Sequence, residues 1–153
     1  MKKITGKPQP FETVVEGTTV NVSVQVPAGK KCELLLYRGG RKKPECTFDM
    51  PEEDGIGEVR FLAVEGIDAE KYEYNFSVDG RVCLDPYVRE IAGKKVFGKK
   101  KDLQQHEIRG KLVSPEYDWE NDRRLHLPWN EVVAYSLHVR GFTKHSSSKA
   151  VHK

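Results

Sequence analysis

The stretch KYEYNFSVDGRVCL, residues 71–84, decides the fold that we predict for this chain. Apolar and polar side chains alternate over its first eight residues, which is the period of a β-strand with two different faces. An Asp79-Gly80 step follows, and residues 81–84 resume extended character. Asp-Gly between two such runs is the strongest short-range signal of a β-hairpin, because a type I′ turn needs positive φ at both central residues. The stretch therefore predicts an antiparallel hairpin with one apolar face.

The preceding residues repeat this strand pattern. Valines at every second position of 20–26 alternate with polar residues, which predicts a half-buried strand. Further short strands are predicted at 32–37, 45–50 and 58–64, separated by Gly, Pro and Asp-Gly turn signals. No amphipathic helix is predicted before residue 115. Short strands with regular turns predict an immunoglobulin-like antiparallel β-sandwich over residues 1–113.

Composition sets the broad class of protein. The 153 residues carry a formal net charge of +3, with 32% charged and 37% hydrophobic residues, which is typical of a globular domain. No apolar run of signal-peptide length follows the basic N-terminus, and no stretch approaches the roughly 20 apolar residues of a membrane span. Three widely spaced cysteines without a CxxC pair favour buried thiols in a reducing compartment. We therefore predict a cytoplasmic protein with no membrane partner, no metal and no cofactor.

The character of the sequence changes after residue 113, where we place a domain boundary. Residues 114–130 are irregular, aromatic and interrupted by prolines. Residues 131–140 are rich in β-branched side chains and end at Gly141, which predicts one more strand. The residues from Gly141 onward are expected to be mobile or loosely packed.

Two segments carry a resemblance to a known family. The run YEYNFSVDG at 72–80, followed by LDPYVR at 84–89, resembles the end of the N-terminal sandwich in pullulanases and glycogen-debranching enzymes. The second is YDWEND at 117–122, then PW at 128–129 and AYSLHVRGFT at 134–143. It resembles the lead-in and first barrel strand of the same glycoside hydrolases of the α-amylase superfamily.

The resemblance implies a starch-binding-type sandwich at 1–113, followed at 114–153 by the linker and first strand of an incomplete (β/α)8 barrel. In that superfamily the catalytic carboxylates lie at the ends of middle barrel strands, so no catalytic residue is assigned here. A retaining glycosidase needs two carboxyl groups about 5–5.5 Å apart, which a single strand cannot supply. We expect the chain alone to be inactive, within a parent enzyme that hydrolyses α-glucans. Its expected partners are the rest of the barrel and glycogen, starch or pullulan.

Sugar-binding residues remain unassigned, although aromatic residues are the natural candidates. Residues 1–113 contain no tryptophan, so Tyr37 or Tyr87 would have to substitute for one. For Asp85-Pro86-Tyr87 we favour a structural role, in which the aspartate accepts backbone hydrogen bonds of a turn and the tyrosine docks on a neighbouring domain. Trp119 and Trp129 are predicted to be buried at the domain seam.

The histidines carry no metal motif. His138, His145 and His152 recur every seven residues, a spacing that matches no standard ligand pattern. His138 shares a predicted strand face with Arg140, and we favour structural roles for both.

Two alternatives to the enzyme reading stay open. The sandwich could be a stand-alone glycogen-targeting or scaffold domain. The lysine-rich stretches at 41–43 and 94–101 would suit a nucleic-acid-binding domain, but acidic residues offset them, and we predict no nucleic-acid partner.

Overall fold

The computed structural model describes residues 1–96, 98–114 and 118–149. The chain divides into two compact units, Met1–Tyr117 and Asp118–Lys153. Each unit is considered by itself. Their assignment to a sandwich module and a piece of a barrel domain, with the boundary after residue 113, stays a prediction.

Antiparallel strands make up the first unit. Its described residues form β1 (Lys2–Ile4), β2 (Val14–Glu16), β3 (Thr19–Gln25), β4 (Cys32–Arg38), β5 (Cys46–Asp49), β6 (Val59–Glu65), β7 (Tyr72–Val78), β8 (Arg81–Cys83), β9 (Ile91–Ala92) and β10 (Arg109–Lys111). One sheet has the order β1-β6-β3-β2, and the other has the order β5-β4-β7-β10-β9 with β8 also paired to β7. The four longer predicted strands and the β7–β8 hairpin are therefore confirmed, with ends that differ by one or two residues.

The two sheets share one apolar core, as a β-sandwich requires. Val20, Val22 and Val24 of β3 are buried, as their alternation predicts, and Val26 just beyond the strand is buried with them. They belong to the same cluster as buried side chains of the second sheet, namely Leu34, Leu36, Tyr74 and Phe76. A mostly β, antiparallel sandwich is the architecture of the first unit.

The Asp-Gly turn has the predicted geometry. Asp79 has φ 48° and Gly80 has φ 78°, both in the left-handed region that a type I′ turn requires. The register then places Val78 opposite Arg81 and Phe76 opposite Cys83. Local turn chemistry therefore determines how β7 and β8 pair.

The outer face of β7 differs from the prediction. The alternation places Asn75 and Ser77 on the polar face, opposite the apolar one, yet both are buried. A second, smaller apolar cluster of Leu35, Tyr37 and Val82 lies in the same sheet. Asn75 donates through Nδ2 to the carbonyl oxygen of Ile108 at 2.8 Å, so the segment leading into β10 covers this face.

Four short strands have no clear sequence signal. β1 and β2 add the edges of the first sheet, where β1 pairs with β6 and β2 with β3. β10 has the sequence RGK and joins β7 to β9. Strands of two or three residues are too short to display an alternation, so only tertiary pairing defines them.

The second unit contains no strand among its described residues, 118–149. The strand predicted at 131–140 is wrong for this chain: a 3-10 turn spans Trp129–Glu131, and helix α1 spans Val139–Lys144. A strand needs neighbours that bond its backbone groups, and these residues supply none. His138 caps α1 by accepting the backbone N–H of Gly141 at 3.0 Å through Nδ1.

None of the described helices has the length and apolar character needed to span a bilayer.

Candidate functional site

The segment from Asp85 to Arg89, hereafter the DPYVR segment, is a fixed connection between β8 and β9. Asp85 is only 2% exposed. It accepts the Tyr74 hydroxyl at 2.7 Å and the backbone N–H of Tyr87 at 2.9 Å. The expected role of the aspartate in accepting a turn hydrogen bond is confirmed. Its second bond, to Tyr74, anchors the segment to the core of the sandwich.

The same segment holds the N-terminal arm of the chain. The rings of Phe11 and Tyr87 stack with centroids 5.9 Å apart and planes inclined by 20°. Arg89 donates through Nε and Nη2 to Oε2 of Glu12, at 2.8 and 2.6 Å. We call the stacked pair of rings the Phe11–Tyr87 platform. The platform and the ion pair lie next to each other because Glu12 follows Phe11 directly.

Tyr87 keeps 52% of its surface exposed. Among the aromatic residues of the first unit that the structure describes, it is the one classed as exposed; the others are half-buried or buried. The sequence indicates two tyrosines as possible sugar contacts, Tyr37 and Tyr87. Tyr87 remains a candidate because it is exposed.

Tyr37 is excluded as a surface contact because it is fully buried. Its hydroxyl contacts Nδ1 of His106, and the guanidinium of Arg109 lies 4.1 Å from the ring centroid. Arg109 also pairs with Glu73, with Nη1 and Oε2 3.0 Å apart. These contacts seal the outer face of the second sheet.

Burial shifts the pKa values of Tyr37 and His106. It raises the pKa of the Tyr37 hydroxyl to about 12, against the opposing effect of the nearby Arg109 charge. Burial also lowers the pKa of His106, and the Arg109 charge adds to that effect. Both groups are therefore held neutral at physiological pH, which fits a structural role.

A groove of about 640 Å³ lies along residues 67–73 and 111–114. Its charged side chains are largely paired with one another: Lys71 bonds Asp68 at 2.6 Å, and Lys111 bonds Glu90. Its described lining residues present no concentrated charge and no convergent set of catalytic groups.

The basic stretches lie on the surface. Residues 41–43 are exposed, as are Lys94, Lys95, Lys99 and Lys100. Lys101 is partly covered and pairs with Glu107 at 3.5 Å. These are solvated loops, as predicted for the residues that the structure describes.

The second unit exposes its aromatic residues. Trp119 is 66% exposed and Trp129 is 89% exposed, so the predicted burial of both does not occur within this chain. A six-residue helix and a single 3-10 turn cannot enclose a core. Large apolar side chains consequently remain at the surface, among them Leu125, Val133, Tyr135, Val139 and Phe142.

The histidines of the second unit have local partners. His138 caps α1, and Nδ1 of His145 lies 2.8 Å from the Ser147 hydroxyl. Arg140 is exposed on α1, and His152 lies outside the described residues. In the described part of the chain, no group of three or more His, Cys, Asp or Glu side chains is arranged to hold a metal ion.

Comparison with known proteins identifies relatives over nearly the whole chain. No family model matches it. It is 30% identical to the chloroplastic isoamylase 1 of Arabidopsis thaliana, over 94% of this chain and 21% of that protein. It is 32% identical to the glycogen operon protein GlgX homolog of Haemophilus influenzae, over 65% of this chain and 18% of that protein.

Solved structures of known proteins include similar folds. A pullulanase from Paenibacillus barengoltzii, crystallised with maltohexaose and α-cyclodextrin, superposes with a TM-score of 0.64 at 18% identity. The alignment covers 93% of this chain and 21% of the pullulanase. The chain thus spans about a fifth of the length of the relatives that it matches. The sequence is thus related to part of the isoamylases and glycogen-debranching enzymes, as the resemblance in its sequence indicated, and its fold is similar to part of a pullulanase.

Proposed function

We propose that this chain is the N-terminal accessory portion of a glycoside hydrolase that debranches α-glucans. The observation that carries the proposal is the 30% identity to an isoamylase over 94% of the chain, which is 21% of the isoamylase. A segment of that proportion has room for one accessory domain and the beginning of a second domain. We assign no catalytic residue to it, and the hydrolysis of O-glycosyl bonds belongs to the remainder of the enzyme.

The finer architecture is part of this proposal. Residues 1–113 are an immunoglobulin-like module of the starch-binding type, and residues 114–153 are the linker and first strand of a (β/α)8 barrel. The exposed apolar side chains of the second unit support this assignment, because such surfaces are normally covered by a partner. When the rest of the barrel is present, residues 131–140 would gain the neighbouring strands that a β conformation requires.

The test compares three polypeptides on glycogen and pullulan: the 153-residue chain, the product of the gene read beyond Lys153, and that product without residues 1–113. We expect new reducing ends from the longer product and none from the chain alone. Loss of glycogen turnover, with retained turnover of short oligosaccharides, is expected when the sandwich is removed. Hydrolysis by the chain alone, at a rate comparable to that of the longer product, would refute the proposal.

A second candidate is a stand-alone glycogen-binding or scaffold domain. The observation in its favour is that the first unit has a complete two-sheet core of its own. A native gel containing glycogen separates this candidate from a purely structural companion of the barrel, because a glycogen-binding domain is retarded relative to a gel without polysaccharide. A gene that ends at Lys153 would favour this candidate over the accessory role.

We also propose a cytoplasmic location. Cys32, Cys46 and Cys83, which are all the cysteines of the sequence, are free thiols. Free thiols are typical of reducing compartments.

A further inference from the structure

We propose that the Phe11–Tyr87 platform, together with the flanking Glu12–Arg89 ion pair, is the surface by which the sandwich holds an α-glucan chain. This inference rests on the proposed function, since it takes the ligand class from there and adds the site. Neither the sequence motifs nor the comparisons assign that site.

The platform supplies an exposed aromatic face. A pyranose ring presents a flat face of C–H groups, which packs against the face of an aromatic ring. Tyr87 is the exposed aromatic residue of the first unit among those the structure describes, and Phe11 backs its ring at 5.9 Å. Tyr37, the other candidate from the sequence, cannot reach a ligand because it is fully buried.

The segment that carries Tyr87 is restrained by its own contacts before any ligand is present. The backbone N–H of Tyr87 is bonded to buried Asp85, and Pro86 restricts φ between them. Val88, the next residue, packs on the main core. Fixing a binding side chain in advance reduces the entropy lost when a ligand arrives. The DPYVR segment therefore restrains the backbone of Tyr87, and Phe11 packs against its ring.

Polar groups beside the rings suit hydroxyl groups. Arg89 uses Nε and Nη2 on a single oxygen of Glu12, so Nη1 and Oε1 have no partner in the described part of the chain. They provide donors and an acceptor that neighbouring sugar hydroxyls can bond. The side chains of Arg89 and Glu12 are 42% and 27% exposed. Because the two charges cancel, the surface favours a neutral polyol over an anionic ligand.

An apolar hollow extends the platform. It has a volume of about 360 Å³ and is lined by Pro8, Gln9, Phe11, Ile56 and Val59. Ile56 is 62% exposed. The hollow shares Phe11 with the platform, so a second sugar unit can lie on it, and a chain of several glucose residues should bind better than maltose.

The competing occupant is the rest of the enzyme, packed onto Tyr87. A protein surface in that place would remove the Glu12–Arg89 pair from water, at a desolvation cost that its own attraction offsets only with excellent geometry. A sugar chain leaves the pair partly hydrated and adds hydrogen bonds to it. The exposed ion pair thus favours the glucan.

The experiment titrates the 153-residue chain with maltoheptaose and follows backbone amide chemical shifts. We expect the largest changes at residues 11–12 and 87–89. Tyr87→Ala should weaken binding by at least about fivefold through loss of the stacking surface, whereas Tyr87→Phe should retain it. Tyr135→Ala is the matched control, because Tyr135 is 87% exposed in the second unit and should leave binding unchanged. Spectra without ligand establish that each variant is folded.

Three outcomes would overturn the site: no shift changes with maltoheptaose, changes centred elsewhere, or full affinity in Tyr87→Ala. None of these outcomes bears on the debranching proposal, because that proposal is tested separately by hydrolysis with the longer product. If Tyr87→Ala instead lowers the thermal stability of the longer product while the chain binds no maltoheptaose, Tyr87 docks the rest of the enzyme, and the glucan site is rejected.

Discussion

Arg60 is the largest fully buried side chain of the described residues, and its charge has one carboxylate partner. Its Nη2 lies 3.0 Å from Oε2 of Glu52, and its Nη1 donates to the carbonyl oxygen of Gly57 at 2.8 Å. A buried charge that loses its partner is costly, whereas an apolar side chain of similar volume in its place is tolerated better. The stability of this end of the sandwich core therefore depends on the half-exposed Glu52, which pairs with the buried charge of Arg60.

This pair gives a prediction on stability. Glu52→Ala should lower the free energy of unfolding by about 2 to 3 kcal/mol, at the low end for a broken buried pair because Glu52 is half exposed. Arg60→Met should cost less, since no uncompensated charge remains. Urea denaturation measures both, with the exposed neighbour Glu53→Ala as a control expected within about 0.5 kcal/mol of the parent. Equal effects at positions 52 and 53 would show that the pair contributes nothing.

Buried hydroxyls and a buried thiol predict weakening of the fold in alkali. Burial raises the pKa of Tyr37 and of Cys32 to about 12, and burial followed by the charge of Asp85 raises that of Tyr74. These groups ionise in the unfolded chain near pH 9 to 10, below the range in which they ionise in the folded chain. Their contribution to the free energy of unfolding is fully present below about pH 9. It is lost as pH rises through the pKa values of the folded chain.

Between about pH 9 and 12 the folded chain keeps protons that the unfolded chain has released, so the free energy of unfolding falls with rising pH. The slope should approach about 1.4 kcal/mol per pH unit for each fully contributing group. Urea midpoints measured at several pH values check this, and Tyr37→Phe should show a shallower slope. A flat profile up to pH 11 would contradict the assignment of these groups as protonated and buried.

At the scale of elements, the approach to β10 is the part that closes the outer face of the second sheet. Gly93 follows β9 with φ 88°, and a Cβ atom there would overlap the carbonyl oxygen of Glu107. The close passage of these two backbones allows Ile108 to accept the bond from Asn75 and Arg109 to reach Tyr37. Glycine at position 93 thus permits the contacts that cover the outer face of the second sheet.

Gly93→Ala should accordingly destabilise the chain more than Gly98→Ala. Both glycines have φ near 80 to 90°, so both substitutions incur backbone strain of about 1 to 2 kcal/mol. At Gly98 nothing lies within 4 Å of the added Cβ, whereas at Gly93 a backbone segment must also move. Thermal unfolding of the two variants measures the difference, and equal melting temperatures would refute the close packing.

At the scale of the whole chain, the two units differ in how much each buries. The first has a continuous apolar core between two sheets. The described residues of the second have one six-residue helix and no buried side chain. Folding free energy comes mainly from apolar burial, so the first unit should hold nearly all of the stability of the chain.

Amide hydrogen exchange tests this distribution. We expect β3, β4, β6 and β7 to exchange slowest, through global unfolding, and residues 118–149 to exchange orders of magnitude faster. Uniformly strong protection from residue 141 onward would contradict it. Repeating the measurement on the longer gene product adds a matched comparison, because protection should then appear in 131–140 if these residues become a barrel strand.

Much of the sandwich was predictable because its long strands are specified locally. The valines of β3 and the alternation in β7 mark strands whose inner faces must be buried, and Asp79-Gly80 has the conformational preferences that a type I′ turn demands. The DPYVR segment was also recognisable, and the bond from the Tyr87 backbone to Asp85 followed from turn chemistry alone.

Other features depended on residues far apart in the chain. The sequence by itself determined the longer strands of the sandwich, the hairpin and the resemblance to debranching enzymes, because apolar alternation, turn residues and motifs lie within a few neighbouring positions. Only the tertiary structure decided that Tyr37 is buried while Tyr87 is exposed, and that Phe11 and Glu12 meet Tyr87 and Arg89 from 76 and 77 positions away. It also decided that 131–140 form no strand here. Burial and strand pairing are properties of what packs against a residue, and a short run of sequence does not contain its partners.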